Sequence, residues 1–299
     1  MKQIKNNFIF FGAVHQDFVF ELKNDLIKYR TNPIKHSESY GGVAHNVAKI
    51  IANFEKVSFF SLFTDKKTIR YLKKQKIDFF ALNNKIEKRY YGILINKYKK
   101  LQLGIANTDA YEKLNIKFNL KFLKKNIVLD LNFSEKLIKM IINKNYKTNH
   151  ITICGTSSFK IYKIKSVLKK INCLILNKEE LYSLSKIRNL NKSIKWLISK
   201  NPNINLIVSN AGKKTFGYEL SELISCTPPK IKVVNENGAG DVMAGTYIYY
   251  RSKEFTFEKA LSLSISAGTL YAKNINKKIN FNYNSIKKIT SKIKNKKEK

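Results

Sequence analysis

Cysteine is scarce in this chain: Cys154, Cys173 and Cys226 form no CxxC pair and sit in or near apolar, strand-like segments. That argues against a disulfide framework and against a cysteine-ligated zinc site. Histidine is equally thin, with four scattered residues, so a metal cluster is not expected. No internal repeat stands out. No apolar run reaches the roughly 18 residues that a membrane span needs. The short apolar run at 8–14 is soon followed by His15, Gln16 and Asp17, so it does not read as a targeting segment either. The expectation is a soluble, cytoplasmic protein with no membrane partner.

Acidic residues are also few, 21 against 57 lysines and arginines, for a formal net charge of +36. Such an excess by itself suggests nucleic acid or another polyanion as partner. The lysines, however, are spread over the whole chain and travel with Asn, Ile, Phe and Tyr, which share A- and T-rich codons. Compositional drift accounts for the charge better, and a nucleic-acid partner is not expected. Only 287–299 is basic enough to resemble a binding arm, and it reads as a frayed, solvated end. What is present in quantity is apolar residues: 43% over 299 residues suits a substantial folded core rather than disorder.

Those apolar residues fall in a strand–helix alternation. Residues 8–14 read as a strand, 43–54 as a helix with an apolar stripe at 43, 44, 47, 50, 51 and 54, and 57–63 as a strand. From 77 to 106 several short strand-like runs, including 90–95 and 101–106, occur without a convincing helix. Together with 18–22 and the segment before Gly41 they predict a small antiparallel lid, built from about 17–40 and 77–107. Alternation then resumes with strands at 127–131, 151–154, 173–176 and 206–209, and with last helices at 256–273 and 284–293. The pattern predicts one α/β domain over 1–299, with a mostly parallel sheet covered by helices on both faces.

Two motifs carry chemistry. Asn235-Glu-Asn-Gly-Ala-Gly-Asp241 runs straight into a helix over 242–250. Gly238, Ala239 and Gly240 let backbone N–H groups approach an anion at a helix start, and Asp241 can face a hydroxyl beside that anion. Such a site suits phosphoryl transfer to an alcohol, although the heptapeptide alone is more often a plain glycine turn capped by Asp. Gly41-Gly-Val-Ala-His-Asn-Val-Ala48 again sets a glycine pair before a helix, with Asn46 in its first turns.

With both motifs in one chain, the sequence resembles the PfkB, or ribokinase-like, family of sugar and nucleoside kinases. The resemblance spans most of residues 8–273 and is strongest at its two ends. It implies a ribokinase-like three-layer sandwich with a small β lid, ATP and Mg2+ as cofactors, and a small nucleoside or sugar as substrate. A monovalent cation and a homodimer are compatible with it. It assigns Asp241 as the catalytic base and Gly238, Ala239 and Gly240 as the anion hole. Asp17, Gly41, Gly42, Asn46 and Asn107 would bind the acceptor. Asn177 and Glu180, an Asn-x-x-Glu pair after a strand, would organise magnesium through water near the nucleotide phosphates, a task that suits oxygen ligands. Alone, that tetrapeptide is an ordinary helix N-cap. Ser209, Ala211 and Gly212 occupy the family's nucleotide loop, with Ser209 in place of Thr, Ala211 at the first glycine and Lys214 at the second. Two further departures are Thr64-Asp-Lys-Lys67, which lacks the usual glycines, and Cys154-Gly155, which replaces Asp-Pro.

Within the family, Asn32-Pro33 ahead of Gly41-Gly-Val-Ala-His-Asn46, and Asn235 where most members have Asp, resemble the bacterial pseudouridine kinases. The implied reaction is phosphorylation of the pseudouridine 5′-hydroxyl, with Asp241 taking its proton. A carboxylate at a helix N-terminus is expected to have a low pKa and to be a weak base, which a loose phosphoryl-transfer transition state tolerates. Another PfkB sugar or nucleoside kinase shares all of this apparatus. A non-catalytic RNA-binding protein on the same fold is the distant alternative, suggested by the charge and the altered nucleotide loop.

Overall fold

Phe8, Ile9, Phe10 and Phe11 are all fully buried, as a strand covered on both faces must be. The computed structural model describes residues 4–62, 64–83, 85, 89–98, 100–113, 116, 118–234, 237–274 and 283–298. Within it, β1 (Phe8–Phe11) pairs in parallel with β4 (Val57–Ser61) on one side and β8 (Asn126–Leu129) on the other. The parallel array continues through β5 (Ile77–Ala81) at one edge and through β9 (His150–Cys154), β10 (Cys173–Asn177) and β11 (Asn205–Ser209) towards the other. Three antiparallel strands, β12 (Thr215–Glu219), β13 (Glu222–Thr227) and β14 (Lys294–Glu298), complete a ten-stranded sheet.

Helices cover both faces. On one side α4 (Glu135–Asn145), a 3-10 helix (Ile161–Lys170), α5 (Lys178–Ser185) and α6 (Leu190–Lys200) bury Ile138, Ile164, Leu181 and Ile194 against the sheet. On the other, α1 (Val43–Ile51), α2 (Lys66–Lys74), α7 (Ala239–Ser252), α8 (Phe257–Lys273) and α9 (Tyr283–Thr290) contribute Val47, Leu72, Tyr247, Leu261 and Ile286 to a second core. A short helix, α3 (Asp109–Glu112), buries Tyr111 beneath the upper edge of the sheet. This is the three-layer sandwich that the sequence predicts.

A second sheet of four strands, in the order β3 (Ile34–Gly41), β2 (His15–Leu22), β6 (Tyr90–Ile95) and β7 (Leu101–Ala106), stands apart from the first. Its alternation puts Asp17 and Val19 on one face and Phe18 and Phe20, stacked with ring centroids 6.2 Å apart, on the other. Two expectations are corrected here. Residues 77–81 belong to the main sheet, because β5 follows α2 as a β-α-β crossover and pairs in parallel with β4. The second sheet is also not wholly antiparallel, since β2 and β6 run in the same direction.

The basic C-terminal segment is corrected as well. Instead of fraying, residues 287–290 finish α9, whose Ile286 is fully buried, and β14 extends the main sheet beside β13. Ser266 Oγ and Thr290 Oγ1 lie 2.9 Å apart, Asn295 Nδ2 donates to Glu258 and Ser262, and Ser225 Oγ donates to Glu298 at 2.6 Å. Removing 287–299 is expected to lower stability by about 2–4 kcal/mol, counting about 1 kcal/mol for each lost side-chain hydrogen bond. Denaturant unfolding of the intact and truncated chains measures the loss, and an unchanged midpoint would contradict this packing.

Candidate active site

The site is assembled at the carboxyl ends of the parallel strands, where open α/β sheets place ligands. Its anchor is Asp130, which directly follows β8 and is fully buried. Asp130 Oδ2 accepts from Ala13 N at 3.1 Å, from Ala44 N at 3.2 Å and from Asn132 Nδ2 at 2.8 Å, while Oδ1 accepts from Asn132 N at 2.9 Å. One carboxylate thus ties the end of β1 to the first turn of α1, whose preceding residue Gly42 offers no side-chain cap. Sequence reasoning passed over Asp130 as part of an apolar strand. The signal was there: an acid at the carboxyl end of a run otherwise made of Ile, Val and Leu.

The glycine pair before α1 exists because of close approach. A Cβ on Gly41 would lie 2.2 Å from Asp17 Oδ2, and one on Gly42, at φ 113°, would lie 2.0 Å from Ala13 O. Asp17 therefore packs directly on the glycine pair, with its Oδ1 2.8 Å from His15 Nδ1. One helical turn later, Asn46 Nδ2 donates to Asp241 Oδ2 at 2.7 Å. The two motifs, 195 residues apart in sequence, meet at that bond. Asp17, Gly41, Gly42, Asn46 and Asp241 form one contiguous group.

Asp241 is in the first turn of α7, after Gly238 in the left-handed conformation at φ 92°. The N–H groups of residues 239–241 are the free donors of the helix start. The expected low pKa is corrected. Burial pushes the Asp241 carboxyl up to about 7; the hydrogen bond from Asn46 opposes this, and the neighbouring charges of Asp130 and Glu180 add to it. A helix end contributes only about 0.3–1 kcal/mol in exposed settings, less than withdrawing a carboxylate from water can cost.

On the far side of the α7 N-terminus lies a cavity of about 760 Å³. Asn177, Glu180, Ser209, Ala211, Gly212, Ala239 and Gly240 all line it. Pro228, Ile231, Val233 and Ile265 make its apolar part. Asn177 and Glu180 form a reciprocal cap on α5: Glu180 N donates to Asn177 Oδ1 and Asn177 N donates to Glu180 Oε2, each at 2.9 Å. Burial raises the Glu180 pKa against the effect of that Asn177 bond. Gly155 is required beside it, because a Cβ there would stand 2.1 Å from Glu180 Oε2.

In the loop after β11 Ala211 adopts φ 49°, the left-handed conformation that a glycine would take without strain. Lys214 is drawn away from the cavity to Glu298 Oε1 at 3.4 Å. Asn107 is exposed just after β7, its N–H donating to Tyr90 O, and among the described residues no hydrogen bond joins it to the Asp241 group. Asn235 falls outside the described residues. Asn32, in the segment before β3, spends its side chain on Ile27 N, Ile27 O and Arg30 O, closing an exposed turn.

Against known proteins, the profile described as pfkB family carbohydrate kinase matches residues 9–278. No curated protein sequence matches the chain. Among solved structures, a nucleoside kinase from Methanocaldococcus jannaschii, described as an archaeal member of the ribokinase family, superposes with TM-score 0.77 at 17% identity, over 96% of this chain and 99% of that one. Ribokinase from Cryptococcus neoformans in complex with ADP gives 0.74 at 15% identity, over 91% and 95%. Phosphofructokinase-2 from Escherichia coli in complex with substrates and products gives 0.76 at 14% identity, over 95% and 98%. At these identities the likeness is one of fold.

The left-handed residue yields a test of the nucleotide loop. Ala211→Gly is expected to stabilise the protein by about 0.5–1 kcal/mol, the relief of a left-handed Cβ less the added freedom of the unfolded chain. A higher denaturation midpoint in the variant checks it; a lower one would mean the loop does not hold this conformation.

Proposed function

The chain belongs to the pfkB family of carbohydrate kinases, and from that membership we propose that it transfers the γ-phosphoryl group of ATP to the 5′-hydroxyl of pseudouridine. The observation that carries the kinase chemistry is the 2.7 Å bond from Asn46 to Asp241. It joins the acceptor-side glycine motif to the base that such a transfer needs, on the helix whose Ala239 and Gly240 line a nucleotide-sized cavity. The pseudouridine assignment rests on the sequence resemblance at Asn32-Pro33, Gly41 to Asn46 and Asn235. Because Asn32 closes a turn, its part is to shape the lid segment rather than to touch substrate. A different nucleoside or sugar acceptor is the second reading, favoured by that same observation.

The cavity fits a nucleotide: the free N–H groups of residues 239–241 suit the phosphates, and the apolar part suits a base. ATP supplies the phosphoryl group there. Among the described residues no group of three or more His, Cys, Asp or Glu is arranged to hold a metal, and the Asn177–Glu180 cap occupies part of both side chains. A hydrated Mg2+ carried by the nucleotide phosphates, with Asn177 and Glu180 reached through water, fits this arrangement better than an all-protein site.

In this reading Asp17, Gly41, Gly42 and Asn46 orient the ribose. The 5′-hydroxyl gives its proton to Asp241 as its oxygen bonds to the γ-phosphorus. The bond from that phosphorus to the β,γ-bridging oxygen then breaks, and ADP leaves. Backbone N–H groups of residues 239–241 stabilise the charge on the phosphoryl oxygens. A base with a pKa near neutrality is matched to this task. The second sheet carries Asp17, and its closure keeps water from competing for the phosphoryl group.

Asp241→Asn is expected to cut turnover by about 10²–10⁴, the usual worth of a positioned base, in a protein that still folds and binds ATP; near wild-type turnover would remove Asp241 from the role. The proton acceptor must be ionised, so kcat/KM is expected to fall about tenfold per pH unit below about 7, the value that burial imposes on Asp241. Asn46→Ala deletes the bond that favours the ionised form, so this acid limb moves to higher pH while the acceptor KM rises. A pH–rate profile of the two proteins checks the shift. For the acceptor, pseudouridine is expected to be phosphorylated faster than ribose, fructose 6-phosphate or adenosine in the presence of ATP and Mg2+, and faster turnover of a plain sugar would select the second reading.

A further inference from the structure

Lys163, on the 3-10 helix of residues 161–170, is a cation with almost no access to water. Its Nζ donates to both carboxylate oxygens of Glu112 at 2.7 Å, to Leu131 O at 3.1 Å and to Phe133 O at 2.8 Å. An ammonium has three N–H groups, so these acceptors use all of them. The two carbonyls flank Asn132, whose Nδ2 donates to Asp130 at 2.8 Å and whose Oδ1 accepts from Lys160 at 2.9 Å. The carboxylate belongs to α3, the short helix that follows β7 where the chain returns from the second sheet.

Tyr111, beside Glu112 on α3, continues the connection. Its ring stacks on Phe133 with centroids 5.6 Å apart, and its hydroxyl donates to Val14 O at 3.3 Å and lies 2.9 Å from Ser61 Oγ, which donates to Gly12 O at 2.6 Å. Between Gly12 and Val14, Ala13 N donates to Asp130. The contacts close into a ring, running from Lys163 through Glu112 and Tyr111 to residues 12–14, then through Asp130 and the 131–133 loop back to Lys163. Residues 12–14 lead into β2 and Asp17, so the ring holds a point where the chain enters the second sheet and a point where it comes back. Asp130 extends the hold to Ala44 N, in the first turn of the helix that bears Asn46. A buried ammonium is weak evidence for stability, since well-packed apolar groups often do as well. What an apolar group cannot do is fix α3, the loop and the 3-10 helix in one geometry.

We propose that Lys163 is a positioning residue for the phosphoryl acceptor: working through Glu112 and the 131–133 loop, its charge sets Asp17 and the first turn of α1 in their places relative to Asp241. When that charge is removed, Glu112 is left 3.8 Å from Lys160. Lys160 is then drawn off Asn132, and the loop loses its hold on the Asp130 carboxylate. Thr156, in the wall of the nucleotide cavity, is joined to the loop by Leu131 N at 2.9 Å, a bond that Lys163 does not make. The acceptor side therefore feels the loss more than the nucleotide side. The inference rests on the kinase reading above and holds whichever acceptor is used.

Steady-state kinetics of the full chain and of Lys163→Met test it, with ATP, Mg2+ and whichever of pseudouridine, ribose, fructose 6-phosphate and adenosine the wild type phosphorylates fastest. The acceptor KM is expected to rise about tenfold while the KM for ATP changes by less than about twofold. Glu112→Gln, which keeps the shape of the side chain and removes its charge, is expected to reproduce the split, and it is read alone if Lys163→Met does not fold. Equal increases in both KM values, a fall in kcat with both KM values unchanged, or wild-type kinetics in a folded variant would each overturn the positioning role. Failure of both variants to fold overturns it as well, in favour of a structural role alone. If the wild type phosphorylates none of the four, hydrogen exchange decides: in Lys163→Met the amides of Ala13 and Ala44 are expected to exchange about tenfold faster with α8 unchanged, and a uniform change or none sinks the proposal. Failure of the pseudouridine assignment looks different, because a plain sugar is then the fastest acceptor and the KM split, measured with that sugar, still appears.

Discussion

The arrangement depends on the buried carboxylate of Asp130. It accepts hydrogen bonds from the end of β1, from the start of α1 and from Asn132, three pieces of chain that would otherwise bury backbone donors without partners. Every later feature of the site inherits its position from that point. Asn46 is one turn into the helix whose first turn Asp130 binds, and Asp17 lies in β2, the strand that follows the end of β1. Gly12 must be glycine because a Cβ there would stand 2.5 Å from both Ala44 and Asp130. A carboxyl group can be buried at modest cost only when its oxygens are bonded in this way.

Asp241 has fewer partners. It has one side-chain bond, from Asn46, and sits near two other acids, and burial raises its pKa. Glu180 is raised too, and burial raises the Cys154 thiol.

The loop after β11 carries one strained residue. Ala211 takes the left-handed conformation that glycine takes freely, so the loop bears a small strain and still lines the cavity. Lys214 is directed by an acid 84 residues away in the chain, on the terminal strand. The basic C-terminal segment therefore does two structural things: it closes the antiparallel edge of the sheet, and it holds Lys214.

How much of this the chain declares in advance follows from what each feature depends on. Local periodicity and glycine punctuation determined the sandwich, since strands such as Phe8–Phe11 and stripes such as that of Val43–Ile51 carry their burial in their own residues. They also determined which residues begin the α1 and α7 helices, because left-handed or crowded backbone at Gly42 and Gly238 admits only glycine at low cost. Tertiary structure alone decided the rest. Residues 77–81 look like any short apolar strand, and only pairing with β4 puts them in the main sheet. Residues 294–298, Lys-Asn-Lys-Lys-Glu, have no strand signal; their pairing with β13 and the bonds of Asn295 and Glu298 make them one. The bonds of Asp130 and the pKa of Asp241 belong to this class, because desolvation and hydrogen bonding between distant segments are properties of an enclosed volume, and no stretch of sequence contains one.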